Sequence, residues 1–161
     1  MADIIVLEKP LLKSDAFREL SGAAKTVYLD FRMKCRVKGM KGPSGRKNGR
    51  VILNNGEIEY CYSEAEKRGI TRSRFMRAID ALVERGLIDI THSGSGGRKG
   101  DKSLYAISDR WQKFGTDDFV SGRRPKDKRG GRGFQKGHGY WKQNSNMGIK
   151  NDNPTVIENV T

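Results

Sequence analysis

The run Ser63-Glu64-Ala65-Glu66-Lys67-Arg68-Gly69-Ile70-Thr71-Arg72-Ser73-Arg74-Phe75-Met76-Arg77-Ala78-Ile79-Asp80-Ala81-Leu82-Val83-Glu84-Arg85-Gly86 decides how this chain folds. It predicts two helices with a tight turn between them. Ser63 and Glu66 stand at the S-x-x-E spacing of a capping box, where a hydroxyl and a carboxylate satisfy amides left unpaired at a helix start. Gly69 comes soon after, and glycine can take the left-handed backbone that closes a helix. Thr71 is placed to cap the second helix, expected over residues 72–85 and stopped at Gly86. Within it Phe75, Ala78, Ile79, Leu82 and Val83 recur at helical spacing as one apolar stripe. Ile70 is expected to bury between the helices, in a turn short enough to set them at a steep angle.

Downstream, Leu87 to Thr91 alternates apolar and polar residues as a strand does, and Leu104 to Ile107 is its expected partner. Between them, residues 92–102 are rich in Gly and Ser and carry Arg98, Lys99 and Lys102. Trp111 or Phe114 is the expected last anchor over the core. Upstream, Ser21 is positioned to cap a helix reaching about Lys38 and ending at Gly39, with Ala24, Val27, Tyr28, Phe31 and Cys35 on one face. Ile4 to Leu7, followed by Lys9-Pro10, reads as an extended arm, and Ser14 as the cap of a short turn holding Ala16, Phe17 and Leu20. The stretch 38–50 holds Lys38, Lys41, Arg46, Lys47 and Arg50 among glycines and no acid, and is expected to be a mobile basic loop. A short strand over 51–53, the turn Asn54-Asn55-Gly56 and a second strand over 58–60 should follow.

These elements predict an α+β fold: a winged helix-turn-helix, with a three-helix core and a β-wing, over residues 1–119. Beyond Val120 hydrophobic periodicity stops. Residues 120–161 form a Gly-rich basic tail that cannot bury enough surface to offset its ordering entropy, so disorder is expected there.

Composition sets the partner class. The 161 residues carry 32 Lys and Arg against 19 acids, a formal net charge of +13, and only 35% are apolar. Such a surface attracts polyanions. The longest apolar run, Ile4 to Leu7, is too short to span a bilayer or form a signal-peptide core, and neither end fits a lipidation signal. No membrane association is expected, and the cytoplasm is the expected compartment. Cys35 and Cys61 form no C-x-x-C pair and read as small, half-buried residues in a reducing environment.

The second helix of the pair is the expected reader of duplex DNA. Opposite its apolar stripe lie Ser73, Arg77 and Asp80, with Arg74 on a flank and Arg72 in the first turn. Arginine's planar fork matches the O6 and N7 acceptors of guanine in the major groove, and Thr71 and Ser73 can reach a phosphate. Asp80 and Glu84 would repel phosphate. The competing reading is an ordinary solvated helix face. Arg98, Lys99 and Lys102 can reach a minor groove or backbone from the wing, or can simply form a polar hairpin tip. Lys41, Arg46, Lys47 and Arg50 in the loop are candidate auxiliary contacts. So are Arg123, Arg124, Lys126, Lys128, Arg129 and Arg132 in the tail, with Lys136 and Lys142 beyond them. These tail charges would add sequence-independent affinity through counterion release, and Phe134, Tyr140 and Trp141 can stack on unpaired bases.

With those residues in view, the chain resembles the helix-turn-helix proteins of bacterial prophages and other mobile elements. The resemblance runs from Ala16-Phe17-Arg18-Glu19-Leu20-Ser21 through Ala24 and Val27-Tyr28-Leu29, then Asn54-Asn55-Gly56-Glu57-Ile58. It continues in Ser63-Glu64-Ala65, Gly69-Ile70, Ala78-Ile79, Leu82 and Arg85-Gly86-Leu87-Ile88, covering residues 4 to 112. It implies a winged helix used in transcription regulation or replication initiation. It implies no base preference, since the recognition positions vary in such families.

Catalysis is not expected. His92 and His138 lack the partners of a triad or a metal site, and Asp117-Asp118 has no second carboxylate cluster. Gly94 to Gly100 is glycine-rich but lacks G-x-x-x-x-G-K-[ST]. No cofactor or metal is expected. Two other binding readings stay open: RNA or single-stranded nucleic acid held mainly by the tail, and a winged helix used for protein contacts. Homodimerisation is also open, since paired half-sites favour it but no interface stripe specifies it.

Overall fold

Two amphipathic helices far apart in sequence, pressed together, organise the core. The computed structural model describes residues 5–41, 43, 47–94 and 100–125. Helices α1 (Lys9–Lys13), α2 (Asp15–Arg18) and α3 (Gly22–Lys34) come first, then strands β1 (Val37–Lys41), β2 (Lys47–Ile52) and β3 (Ile58–Glu59). Helices α4 (Tyr62–Lys67) and α5 (Arg72–Glu84) precede β4 (Ile88–His92), β5 (Leu104–Ile107) and a single 3-10 turn, Arg110–Lys113. Among the described residues the fold is mixed α+β, with five α-helices and two small antiparallel sheets.

Helix α3 sinks Ala24, Val27, Tyr28 and Phe31 against α5, whose Phe75, Ala78, Ile79, Leu82 and Val83 are all buried. Each large apolar side chain among them contributes about 1.5–3 kcal/mol on leaving water. A chain of edge-on aromatic pairs ties the layers together: Phe31 to Tyr105 at 5.0 Å, Phe31 to Tyr60 at 5.3 Å and Tyr60 to Phe75 at 4.8 Å. The second sheet runs β3-β5-β4, pairing Ile58 with Tyr105 and Ile88 with Ile107.

The turn between α4 and α5 forms as its glycine demands. Gly69 has φ +77°, its amide donates to Glu66 O (2.9 Å) and the Ile70 amide to Ala65 O (2.9 Å). This pair of bonds closes a helix on a left-handed residue, and it turns Ile70 into the core at 6% exposure.

Several local expectations are corrected. Residues 9–13 are helical where an extended arm was expected. Pro10 sits in the first turn, where its missing N–H costs nothing, and Leu11 is buried. Helix α3 stops at Lys34, short of the expected Lys38. Asn54 ends it, its Nδ2 donating to Lys34 O (3.0 Å) and its Oδ1 accepting from the Arg36 amide (2.8 Å). The basic stretch 38–50 is not an open loop: β1 and β2 pair antiparallel from Val37↔Ile52 to Lys41↔Lys47, with a bulge between Gly39 and Lys41. Every residue of β1 is exposed, so backbone pairing rather than apolar alternation defines this hairpin. Helix α4 begins at Tyr62, not at the expected Ser63. The amide of Cys61 donates to Glu64 Oε2 (3.3 Å), and Lys34 of α3 holds that same carboxylate at 2.9 Å.

Candidate nucleic-acid interface

Helix α5 separates its two faces cleanly. Its apolar stripe is clamped inward, while Thr71, Arg72, Ser73, Arg74, Met76, Arg77, Asp80 and Glu84 are exposed. The side chains of Arg74 and Arg77 make no hydrogen bond or ion pair among the described residues. Their guanidinium groups are therefore free to meet a partner without first breaking an internal bond. Arg72 is more engaged. It lies over the Tyr62 ring at 5.3 Å and 3.8 Å from Glu66, with its side chain 75% exposed. So solvated a pair contributes little and can be exchanged for another anion. Thr71 holds the N-cap backbone position, but its hydroxyl caps no amide and lies 3.5 Å from Ser73 Oγ. The expected side-chain cap is absent, and both hydroxyls remain at the surface.

Strands β4 and β5 form the hairpin that follows α5. Its loop end is closed by His92 Nε2 against Asp101 Oδ1 (2.7 Å) and by the Gly94 amide donating to Ser103 Oγ (3.1 Å). Lys102 leads into β5 but bonds Glu59 of β3 at 2.7 Å, which raises the lysine's pKa. It is a surface pair on the sheet, not a free tip. Arg98 and Lys99 lie outside the described residues.

Lys41 lies exposed on β1, and Arg50 lies exposed on β2 opposite Gly39. Lys47 begins β2. The exposed basic hairpin is thus a second cationic element in addition to α5. Arg46 lies outside the described residues, as do Lys126, Lys128, Arg129, Arg132, Lys136, Lys142, Phe134, Tyr140, Trp141 and His138, with the expected disorder of that segment.

Arg123 is exposed, whereas the side chain of Arg124 is engaged. Its Nη2 donates to Met76 O (2.8 Å) and pairs with Asp80 Oδ1 (2.8 Å), so it is bound to α5 rather than held out as a tail cation. Residues 121–125 are accordingly laid along α5.

Two residues that position the site were not identified from sequence. Arg68, in the turn, reaches Asp30 of α3, which is 3% exposed. Arg110 bonds Asp89 of β4, Val83 O at the end of α5 and Val120 O. Both act across large sequence separations, and nothing in their local pattern marks them.

No family model, curated protein or solved structure matches this chain. Among the described residues no helix is long and apolar enough to cross a membrane, and no cluster of His, Cys, Asp and Glu could hold a metal ion.

Proposed function

We propose that this chain is a winged-helix protein that binds double-stranded DNA with sequence selectivity, with α4 and α5 as the helix-turn-helix and α5 in the major groove. The observation that carries the reading is the pair Arg74 and Arg77, exposed and unpartnered among the described residues on a helix whose other face is fixed in the core. A rigidly held helix with free arginine forks is what base-edge recognition of guanine requires. Three further features support it. The short helix, left-handed glycine turn and longer helix are followed by an antiparallel hairpin, and β3 adds to that hairpin's β5. The hairpin β1–β2 supplies a second basic element for the phosphate backbone. The net charge of +13 supplies long-range attraction. Nothing in the site calls for catalysis, and a role in transcription regulation or replication initiation of a phage or mobile element suits such a module.

The test is selection of duplex fragments from a random pool by the full chain at fixed salt, followed by Arg74→Ala and Arg77→Ala on the enriched site. Loss of about 1–3 kcal/mol on that site, with relaxed preference at one or two base pairs, is the expected result. Retention of full affinity by both variants would transfer the function to RNA or single strands, or to protein contacts.

A further inference from the structure

After the 3-10 turn the chain doubles back over α5. Val120 O accepts from Arg110 Nη1 (2.7 Å), and Ser121 Oγ then donates to Glu84 O (3.2 Å), at the end of the helix. Gly122 passes so close that a Cβ there would stand 2.9 Å from Arg110 Nη2 and 3.0 Å from both Val83 Cγ1 and Val83 O. Arg124 then reaches Met76 O and Asp80, further back toward the N-terminal half of α5. Glu84, Val83, Asp80 and Met76 lie along one flank of the helix at helical spacing. The segment therefore runs antiparallel to α5, bonded to it at Glu84 and again at Met76 and Asp80, and leaves Arg123 exposed beside it.

This strap bears on an electrostatic difficulty. Asp80 sits on the exposed side of α5, one turn from Arg77, where its charge opposes approach to phosphate. Arg124 at 2.8 Å offsets that charge.

We propose that the strap 120–125 is part of the duplex-binding surface: Arg124 is a positioning residue that neutralises Asp80, and Arg123 meets the DNA backbone beside α5. This rests on α5 being the helix that enters the groove. Helix and strap would then grip one site together rather than two.

The test compares the full chain with Arg124→Ala, Asp80→Asn, the double variant and Arg123→Ala, by fluorescence anisotropy on the enriched duplex over a salt series. Arg124→Ala should weaken binding ~5- to 20-fold by baring Asp80. Asp80→Asn alone should not weaken it, and the double variant should recover to within about 2-fold of the unmodified chain. A merely structural strap would give no such rescue. Arg123→Ala, at an exposed position, should lower the slope of log affinity against log salt by about 0.9 with an unchanged melting temperature. The proposal is overturned if Arg124→Ala binds as well as the parent or tighter, if Asp80→Asn fails to rescue it, or if Arg123→Ala leaves the slope unchanged. Should Arg124→Ala not fold, the Arg123 slope decides. If the unmodified chain binds no duplex, or Arg74→Ala and Arg77→Ala have no effect, the reading of α5 falls first and takes the strap with it. Intact sensitivity at Arg77 with no effect at Arg123 and Arg124 removes the strap alone.

Discussion

Arg68 Nη2 stands 2.9 Å from Asp30 Oδ1, joining the turn between α4 and α5 to the middle of α3. The approach is an ion pair without hydrogen-bond alignment, since Asp30 Oδ1 has no donor aimed at it. The other oxygen, Oδ2, accepts from Tyr60 OH at 2.5 Å. A carboxylate 3% exposed is thus held between one phenol and one half-exposed guanidinium. Its effect is directional, because it fixes the turn on which the pose of α5 depends.

Tyr60→Phe should therefore cost stability beyond any loss of packing, since the ring is kept and Asp30 Oδ2 loses its donor. Leaving a buried acceptor unsatisfied costs about 1–3 kcal/mol. Urea denaturation should show a lower midpoint with an unchanged slope, the mark of altered stability without altered compactness. A midpoint equal to that of the parent would mean that water replaces the phenol and the network contributes nothing.

Three buried tyrosines predict how the fold responds to alkali. Burial, opposed in part by Arg32, pushes the Tyr28 phenol up to about 12 from its ordinary 10.0. Burial also raises Tyr60, with its hydrogen bond to Asp30 adding to the effect, and burial raises Tyr105. In each case the folded chain keeps a proton that the unfolded chain releases at about pH 10. The stabilisation is fully present below about pH 10 and is lost as pH rises from there through the folded-state values. Urea midpoints should hold level up to about pH 10, apart from other titrations, and fall steeply toward pH 12. Absorbance of ionised tyrosine should rise together with unfolding. Ionisation of Tyr28, Tyr60 or Tyr105 in the folded state, followed residue by residue and well before unfolding, would contradict this.

What sequence could reveal of this fold divides by distance along the chain. The turn at Gly69, the stop of α5 before Gly86 and the stripe from Phe75 to Val83 were legible because each signal lies within a few residues of the structure it makes. The end of α3 was not, because the group that closes it is Asn54, well downstream, while Gly39 offered a plausible local stop. The same distance explains why the Tyr62 start of α4 displaced the one expected at Ser63: Lys34 orients Glu64 from another helix. The β1–β2 hairpin was hidden by the exposure of its side chains, which removes the alternation that marks a strand. At the candidate site, the outward placement of Arg74 and Arg77 followed from helical periodicity alone. Arg124 read as one cation among many in a basic run, because its partners at Met76 and Asp80 belong to an element far earlier in the chain.

The β1–β2 hairpin allows phosphate attraction to be separated from base reading. It pairs only with itself among the described residues, and two-stranded ribbons of this kind are only marginally stable alone. Its backbone amides should accordingly exchange with solvent faster than those of α3 and α5. Lys38, Lys41 and Arg50 are exposed on it, so Lys38→Gln, Lys41→Gln and Arg50→Gln should each change stability by no more than about 0.5 kcal/mol. If these side chains meet the DNA backbone, the triple variant should lower the slope of log affinity against log salt by up to about 2.7, near 0.9 for each phosphate no longer neutralised. Because phosphates carry no sequence information, affinity should fall equally on the enriched site and on unrelated duplex, leaving their ratio intact. Arg77→Ala should do the reverse, lowering the ratio while barely moving the slope. An unchanged slope in the triple variant would place the hairpin away from DNA, and a changed ratio would make it a reader of bases.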